Sequence, residues 1–250
     1  MTYCVGLRLN RGIVFASDTR TNAGIDNIAT FRKMHVWEKK DERVIVLLTA
    51  GNLAVTQAVV SLLNEAVNSG HSESDGLDLA SLMTVTTMFQ AARVVGATLK
   101  SVHDTDNDEL GQDAAAFSAS FILGGQIKGE PPRLFQIYNE GNFIEASADT
   151  PFFQVGEHKY GKPILDRVAV PDMRMGDAAK LLLISFDSTL RSNLSVGMPI
   201  DMLIYRTDSF VIGEQRRIGA DDAYFKSISD GWSRALRDAF ANIETFVNEE

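Results

Sequence analysis

Residues 2–18 read TYCVGLRLNRGIVFASD, two apolar runs separated by Arg11 and Gly12. In the first run apolar and polar residues alternate, which is the pattern of a strand with one buried face. The second run, GIVFAS at residues 12–17, is almost wholly apolar and ends at Asp18. Because Gly is favoured in tight turns, this segment predicts a β-hairpin that starts at the second residue of the chain.

Further apolar patterns follow the hairpin along the chain. The runs at 33–38 and 44–50 predict another strand pair, and with the hairpin a four-stranded antiparallel sheet. Later strands are expected in FSASFILGG, RLFQIYN, NFIEASA, FFQVG, MLIYR and SFVIG. Helical spacing of apolar residues predicts helices near residues 52–69, 77–103, 160–168, 178–191 and 221–246.

This order of elements predicts an α+β fold over a single domain, residues 1–250. Two antiparallel sheets stacked face to face between helical layers would bury all the apolar stripes with short connections. The expected architecture is therefore a four-layer αββα sandwich. In the last helix the stripe is formed by Tyr224, Ile228, Trp232, Leu236, Phe240 and Ile243.

Composition narrows the range of partners and cofactors. The formal charge of -9 and the scattered Lys and Arg residues argue against nucleic acid. No secretory signal and no apolar run of membrane-spanning length occurs, so we expect a soluble, cytoplasmic protein without membrane contact. The lone cysteine, Cys4, is expected to be buried, and the four histidines show no ligand spacing, so neither a metal nor another cofactor is predicted.

Signatures of common hydrolases are missing, which leaves the amino terminus as the candidate site. Removal of Met1 would leave Thr2 with a free α-amino group. A threonine hydroxyl needs a base, and the α-amine of the same residue can serve because its reference pKa is about 7.7 to 8.0. Thr2 is therefore either a nucleophile that carries its own base or simply the first residue of a strand.

Two charged residues favour the nucleophile. Asp18 ends the second strand of the hairpin and should lie at the same end of the sheet as Thr2. Lys33 opens the third strand after a polar loop. A carboxylate, a lysine and an amine in one cluster could stabilise a developing alkoxide, although an Asp and a Lys at strand ends often mark turns only.

The opening of the chain resembles that of proteasome β subunits, in particular their bacterial ancestral branch. That family runs from an N-terminal Thr through a strand-ending D-x-R, a lysine at the next strand, and an A-G turn into the first helix. The matching residues here are Thr2, Asp18-Thr19-Arg20, Gly24, Phe31-Arg32-Lys33-Met34 and Thr49-Ala50-Gly51.

The resemblance implies a threonine-type N-terminal nucleophile hydrolase acting on peptide or peptide-like amide bonds. Thr2 matches the nucleophile, Asp18 the carboxylate that orients the lysine, and Lys33 the cation that lowers the proton affinity of the nucleophile. The backbone N–H of Gly51 matches the oxyanion-hole donor. Two residues fall where the family pairs its backbone with an extended substrate strand: Asn22 and Gly24.

Two departures from the family pattern bear on the hydrogen bonds around the nucleophile. Where the family carries a serine after a V-G pair, this chain has Glu157 and His158. Where the family has an Asp in a D-x-x-S pattern, this chain has Ser192, and only Ser195 matches.

Three functions remain open from the sequence. An active amide hydrolase uses the intact Thr, Asp and Lys, whereas a proteasome-like scaffold subunit with little turnover would tolerate the altered Glu157 and Ser192 positions. A generic sandwich that binds a small ligand leaves the Thr, Asp and Lys spacing unexplained. The resemblance also implies a homo-oligomer, as an open or helical ring.

Overall fold

The computed structural model of the chain describes residues 2–22, 28–69, 71–74, 77–110 and 118–246. Its helices are α1 (Leu53–Ser69), α2 (Met88–Leu110), α3 (Lys162–Val168), α4 (Met175–Ser192) and α5 (Ala223–Ala241). Its strands are β1 (Tyr3–Leu9), β2 (Gly12–Asp18), β3 (Arg20–Asn22), β4 (Ile28–Thr30), β5 (Met34–Lys39), β6 (Arg43–Gly51), β7 (His71–Ser74), β8 (Leu77–Ala80), β9 (Ala119–Ile127), β10 (Arg133–Ile137), β11 (Phe143–Glu145), β12 (Phe152–Gly156), β13 (Ile200–Arg206) and β14 (Glu214–Ile218).

Two five-stranded antiparallel sheets form the centre of the molecule. The first has the strand order β12-β1-β2-β13-β14 and the second has the order β11-β10-β9-β6-β5. Two small hairpins, β3 with β4 and β7 with β8, lie apart from them. Since β12 and β13 flank the β1–β2 hairpin, residues far apart in the sequence meet at its ends.

The buried apolar residues form three clusters, one for each interface between layers. The first sheet packs through side chains such as Val5 against α3, α4 and α5, including Phe186. Phe15 and Val46 belong to the cluster between the two sheets. The second sheet packs on its other face, through residues such as Phe121, against α1 and α2. The predicted αββα sandwich of the α+β class is confirmed.

The opening hairpin is confirmed, but the predicted four-stranded sheet is wrong. Cys4 pairs with Ser17 and Leu9 with Gly12, as a tight hairpin requires. The second strand pair, β5 and β6, lies in the opposite sheet. The free edge of β2 is taken by β13, with Asp18 opposite Ile200, a long-range pairing that local patterns do not show.

The second predicted helix, 77–103, begins too early. Residues Leu77–Ala80 form β8, and α2 begins only at Met88 and extends to Leu110. The turn between them is held by the buried Arg43, whose guanidinium donates hydrogen bonds of 3.0 and 2.7 Å to two of its carbonyl oxygens. Thus a tertiary contact with β6 holds the turn that precedes this helix.

The strand predicted at residues 209–213 is also wrong. Asp208 and Phe210 adopt φ values of 61° and 47°, which belong to turns and not to strands. The strand that pairs with β13 is β14, immediately after this turn. The run of apolar residues in this turn, within SFVIG, resembles the sequence pattern of a strand.

Candidate active site

Thr2, Asp18 and Gly156 lie at one end of the first sheet because of its register. Tyr3 pairs with Gly156 of β12 on one side, and Cys4 pairs with Ser17 of β2 on the other. Thr2 therefore precedes β1 at the position where β2 and β12 both end. The second sheet supplies Lys33, which immediately precedes β5.

A buried ion pair lies beside the amino terminus. Lys33 Nζ is 2.7 Å from Asp18 Oδ1 and donates a second hydrogen bond of 2.6 Å to the carbonyl oxygen of Arg20. Asp18 is fully buried and Lys33 is 4% exposed. Asp18 also accepts backbone hydrogen bonds from Tyr3 N at 3.1 Å and from Gly197 N at 3.3 Å. Donors from three separate segments thus fix this carboxylate.

Burial raises the pKa of Asp18, whereas Lys33 and the N–H groups of Tyr3 and Gly197 act in the opposite direction. A charged pair in such a place is stable only when its remaining hydrogen-bonding capacity is satisfied. Here the structure meets that condition with one side-chain and two backbone donors. The arrangement holds an ammonium group at a fixed position at the edge of the cavity described next.

A cavity of about 470 Å³ opens at this end of the sheets. Both charged and hydroxyl-bearing side chains face it, and glycine backbone forms parts of its wall. We call it the Thr2 cavity, and its lining includes Thr2, Thr21, Lys33, Thr49, Gly51 and Gly156.

Gly51 joins β6 to α1 at the mouth of the Thr2 cavity. Its φ of 111° suits glycine, and a Cβ here would lie 2.2 Å from the carbonyl oxygen of Ser118. Asn52 follows and accepts hydrogen bonds from Ala54 N at 2.9 Å and Val55 N at 3.3 Å. The Asn52 side chain thus occupies two of the free N–H groups at the start of α1, while Gly51 itself lines the cavity.

The carbonyl group of Thr2 is held by the turn after β12. Glu157 N donates to Thr2 O at 2.6 Å. Gly156 has φ 82°, and a Cβ on it would lie 2.1 Å from the same Thr2 oxygen. The backbone of residues 156 and 157 therefore packs directly against the carbonyl group of Thr2, the candidate nucleophile.

Glu157 makes contacts that the sequence did not reveal. Its carboxylate accepts hydrogen bonds from Lys159 N at 2.9 Å and from the Asn193 side chain at 2.8 Å. Asn193 Oδ1 in turn accepts from Ser195 N at 2.9 Å. Ser192, the residue expected at the acidic position of the family, is exposed. Its neighbour Asn193 makes the hydrogen bond to Glu157. In the sequence, only the mostly polar segment S-N-L-S at residues 192–195 indicated such a contact.

The structure thus brings together all four residues predicted for the site. Thr2, Lys33 and Gly51 line one cavity, and Asp18 holds Lys33. Asn22 ends β3, and Gly24 lies outside the described residues. Across the described ranges, no group of three or more His, Cys, Asp and Glu side chains could hold a metal ion.

The fold and the position of Thr2 define a class of protein. The model of the family described as "Proteasome subunit" matches residues 2–204. The chain therefore belongs to the proteasome subunit family, and its sandwich is the N-terminal nucleophile hydrolase fold of that family. No curated protein shows significant similarity to the sequence.

Within the family, the similarity is to Anbu, the ancestral β subunit of bacteria. Anbu from Hyphomicrobium sp. strain MC1 is 59% identical, with a TM-score of 0.89 over 98% of this chain and 100% of that one. Anbu from Yersinia bercovieri is 48% identical, with a TM-score of 0.89 over 98% and 100%. The structure described as the helical assembly of the Anbu complex from Pseudomonas aeruginosa is 47% identical, with a TM-score of 0.88 over 98% of both chains.

None of the helices in the described part of the chain combines the length and the apolar character that crossing a membrane requires.

Proposed function

We propose that this chain is a threonine-type N-terminal nucleophile hydrolase that cleaves peptide or peptide-like amide bonds within a homo-oligomer. One observation carries the proposal most directly. The Lys33 ammonium, fixed by a buried carboxylate, lines the same cavity as Thr2. A buried ion pair is costly to maintain, and a structural role alone would not require it to border an open cavity beside a hydroxyl.

The reaction begins after removal of Met1. The freed α-amine of Thr2 accepts the proton of its own hydroxyl while Oγ bonds to the carbonyl carbon of the substrate. Lys33 lowers the cost of the negative charge on Oγ, and Asp18 holds the lysine in place. Base and nucleophile lie on one residue, so no histidine is needed.

Charge then moves to the former carbonyl oxygen of the substrate. The backbone N–H of Gly51 is the donor we propose for this oxyanion, since Gly51 is at the cavity mouth. The tetrahedral intermediate collapses when the C–N bond breaks and the leaving nitrogen takes the proton from the α-ammonium. The product is an ester on Thr2 Oγ. Water, deprotonated by the α-amine, adds to the carbonyl carbon of this ester. The C–Oγ bond then breaks, Thr2 Oγ takes the proton back from the α-ammonium, and the acid is released.

An extended peptide is the substrate class that suits the cavity. Its wall combines hydroxyl groups such as that of Thr21 with the glycine backbone of residues 51 and 156. Backbone of this kind can pair with the amide groups of an extended chain, and β3, which carries Thr21 and ends at Asn22, provides a neighbouring strand.

Intact mass spectrometry of the purified protein tests the hydrolase directly. We expect a mass without Met1, and a single adduct after incubation with a peptide epoxyketone, which requires both a hydroxyl and an adjacent amine. The matched control Thr2→Ala should show no adduct. A retained methionine, or labelling that persists in Thr2→Ala, would contradict the proposal.

Self-assembly is supported by the apolar surface at the end of the chain. Leu236, Phe240, Ile243 and Phe246 are 50%, 80%, 70% and 87% exposed. We call these four residues the α5 surface. Large apolar side chains grouped in this way mark an interaction site, and a relative from P. aeruginosa is described as a helical assembly. A second copy of this chain, in an open or helical ring, is the proposed partner.

A scaffold subunit with little turnover is the second candidate. The observation that favours it is Glu157 at the position where the resemblance implies a serine, because a carboxylate beside Thr2 alters the electrostatics of the amine. The two candidates are separated by turnover: a scaffold would assemble normally, and a labile peptide ester or amide would be cleaved no faster by the wild type than by Thr2→Ala.

A further inference from the structure

Two segments from distant parts of the sequence converge on the Thr2 site. The turn after β12 contributes Glu157, which is 7% exposed. The segment after α4, residues 193–197, contributes Asn193 at its start and Gly197 at its end. The hydrogen bond between the side chains of Glu157 and Asn193 joins the two segments.

Each segment also touches the catalytic candidates through its backbone. Glu157 N donates to Thr2 O, and Gly197 N donates to Asp18 Oδ2. Asn193 Oδ1 accepts from Ser195 N, which fixes the conformation of the segment between Asn193 and Gly197. Four hydrogen bonds and the short stretches of chain between them therefore connect the carbonyl of Thr2 with the far oxygen of Asp18.

We propose that Glu157 is a positioning residue that acts with Asn193 to hold Thr2 and Asp18 in register, and that its negative charge acts on the Thr2 α-amine. This inference rests on the proposed hydrolase function and deepens it. The carboxylate lies where the family resemblance implies a neutral serine. The protonation of the Thr2 α-amine would therefore differ from that in a chain with the serine.

The charge survives burial. Burial acts to raise the pKa of Glu157, but the hydrogen bonds from Lys159 N and the Asn193 side chain outweigh it, and the net pKa is lowered. Glu157 is thus an anion at neutral pH. Because Glu157 N is hydrogen-bonded to Thr2 O, the two residues are neighbours, and an anion on a neighbouring residue favours the protonated form of an amine.

Other charged groups face this region and are the same in every variant proposed below. His158 and Lys159 lie on the turn of Glu157, while Asp18 and Lys33 lie on the other side of Thr2. A difference in the pH profile of a Glu157 or Asn193 variant can therefore be assigned to the substituted residue, because the other charged groups are unchanged.

The test measures the rate of Thr2 labelling by an epoxyketone between pH 5.5 and 9. In Glu157→Gln, loss of the charge should move the midpoint of the profile down by roughly 0.5 to 1 pH unit. The plateau rate should fall about tenfold because one hydrogen bond of the series is lost. Asn193→Ala keeps the charge, so its plateau should fall by a similar factor while its midpoint stays unchanged.

Glu145→Gln is the matched control, since it makes the same chemical change at a partly exposed pair with Arg133 in the second sheet. It should leave both midpoint and plateau unchanged. A Glu157→Gln profile identical to wild type would overturn the inference. So would an equal midpoint shift in Asn193→Ala, because that variant keeps the carboxylate.

Hydrogen exchange separates this inference from the hydrolase proposal. Amide exchange of residues 193–197 should be faster in Glu157→Gln and Asn193→Ala than in wild type, whether or not Thr2 reacts. Failure of the wild type to be labelled would contradict the hydrolase, and unchanged exchange in both variants would contradict the positioning role.

Discussion

Two regions of the molecule depart in opposite directions from the usual distribution of side chains. At the Thr2 cavity the protein buries Asp18 and Lys33, although charged residues are seldom fully buried. At the α5 surface it exposes large apolar side chains, among them Phe240. Folding alone favours neither buried charges nor exposed apolar side chains. The contrast therefore points to the Thr2 cavity as the place of a reaction and to the α5 surface as the place of association between molecules.

The largest expected effect is that of Lys33→Ala. Labelling of Thr2 should fall at least about 100-fold because the alkoxide loses its cation. Removing one partner of a buried pair also costs about 3–5 kcal/mol, so Tm should fall by roughly 6–20 °C. Labelling kinetics and calorimetry measure the two losses.

A double variant, Asp18→Asn with Lys33→Met, distinguishes chemistry from stability. Without an uncompensated charge, much of the lost Tm should return while labelling stays absent. Recovery of labelling together with Tm would remove the lysine from the mechanism and leave the Thr2 region with an ordinary structural ion pair.

The next effect concerns the other region. Leu236→Ser combined with Phe240→Ser should shift the protein to smaller species in sedimentation velocity, because each buried apolar side chain contributes about 1.5–3 kcal/mol to a contact. Arg234→Ser, on the opposite side of α5, is the control. A wild-type sedimentation profile in the double variant would show that another surface drives assembly.

One substitution made in both regions sharpens the comparison. Gly156→Ala introduces a Cβ at φ 82° against Thr2 O and should destabilise the protein by about 1–3 kcal/mol. Gly231→Ala, in α5, meets no atom within 4 Å and should stabilise it by about 0.5–1 kcal/mol. Denaturant melts of the two variants give the sign of each change in the free energy of unfolding. Changes of the same sign would contradict this account of the Thr2 cavity.

The smallest effect comes from a group outside both regions. Burial, with a further contribution from Arg32, lowers the pKa of His35 to about 4. Because the unfolded state binds this proton more readily, stability is complete above pH 6.5 and is lost as pH falls towards 4. Between pH 7 and 5.5 the loss should be about 1 kcal/mol, or a Tm decrease of roughly 2–4 °C.

His35→Gln should flatten this dependence, as thermal melts across the pH range would show. An unchanged slope in the variant would assign the effect to other groups. This baseline also matters for the labelling profiles, because it separates acid destabilisation of the second sheet from titration of the Thr2 amine.

The sequence predicted those parts of the fold that depend on neighbours along the chain. The β1–β2 hairpin and the position of Asp18 near Thr2 follow from strand ends and turns. The role of Gly51 was implied by the family resemblance, and Lys33 and Gly51 reach the site from the second sheet and not from the predicted four-stranded one. The pairing of β13 with β2 could not be predicted, because the pairing of strands far apart in the sequence depends on the packing of the whole core. That residues 1–250 form one domain stays a prediction.

For the same reason the contacts of Glu157 were misjudged. The sequence placed it only as a departure from a serine, because nothing local shows that Asn193, at the end of α4, lies opposite. The apolar stripe of α5 was predicted, but not its exposure: Ile228 is buried while Phe240 is largely exposed. Periodicity identifies an apolar face without telling which molecule covers it.

The closeness of Gly156 to Thr2 has a consequence for how such a protein can diverge. Its φ of 82° and the 2.1 Å approach mean that any side chain at position 156 would strain the backbone against Thr2. The next residue holds the Thr2 carbonyl through its main-chain N–H, a hydrogen bond that does not depend on the identity of its side chain. Related chains could therefore exchange residue 157, and with it the charge and the Asn193 contact next to the nucleophile, while this main-chain hydrogen bond remains.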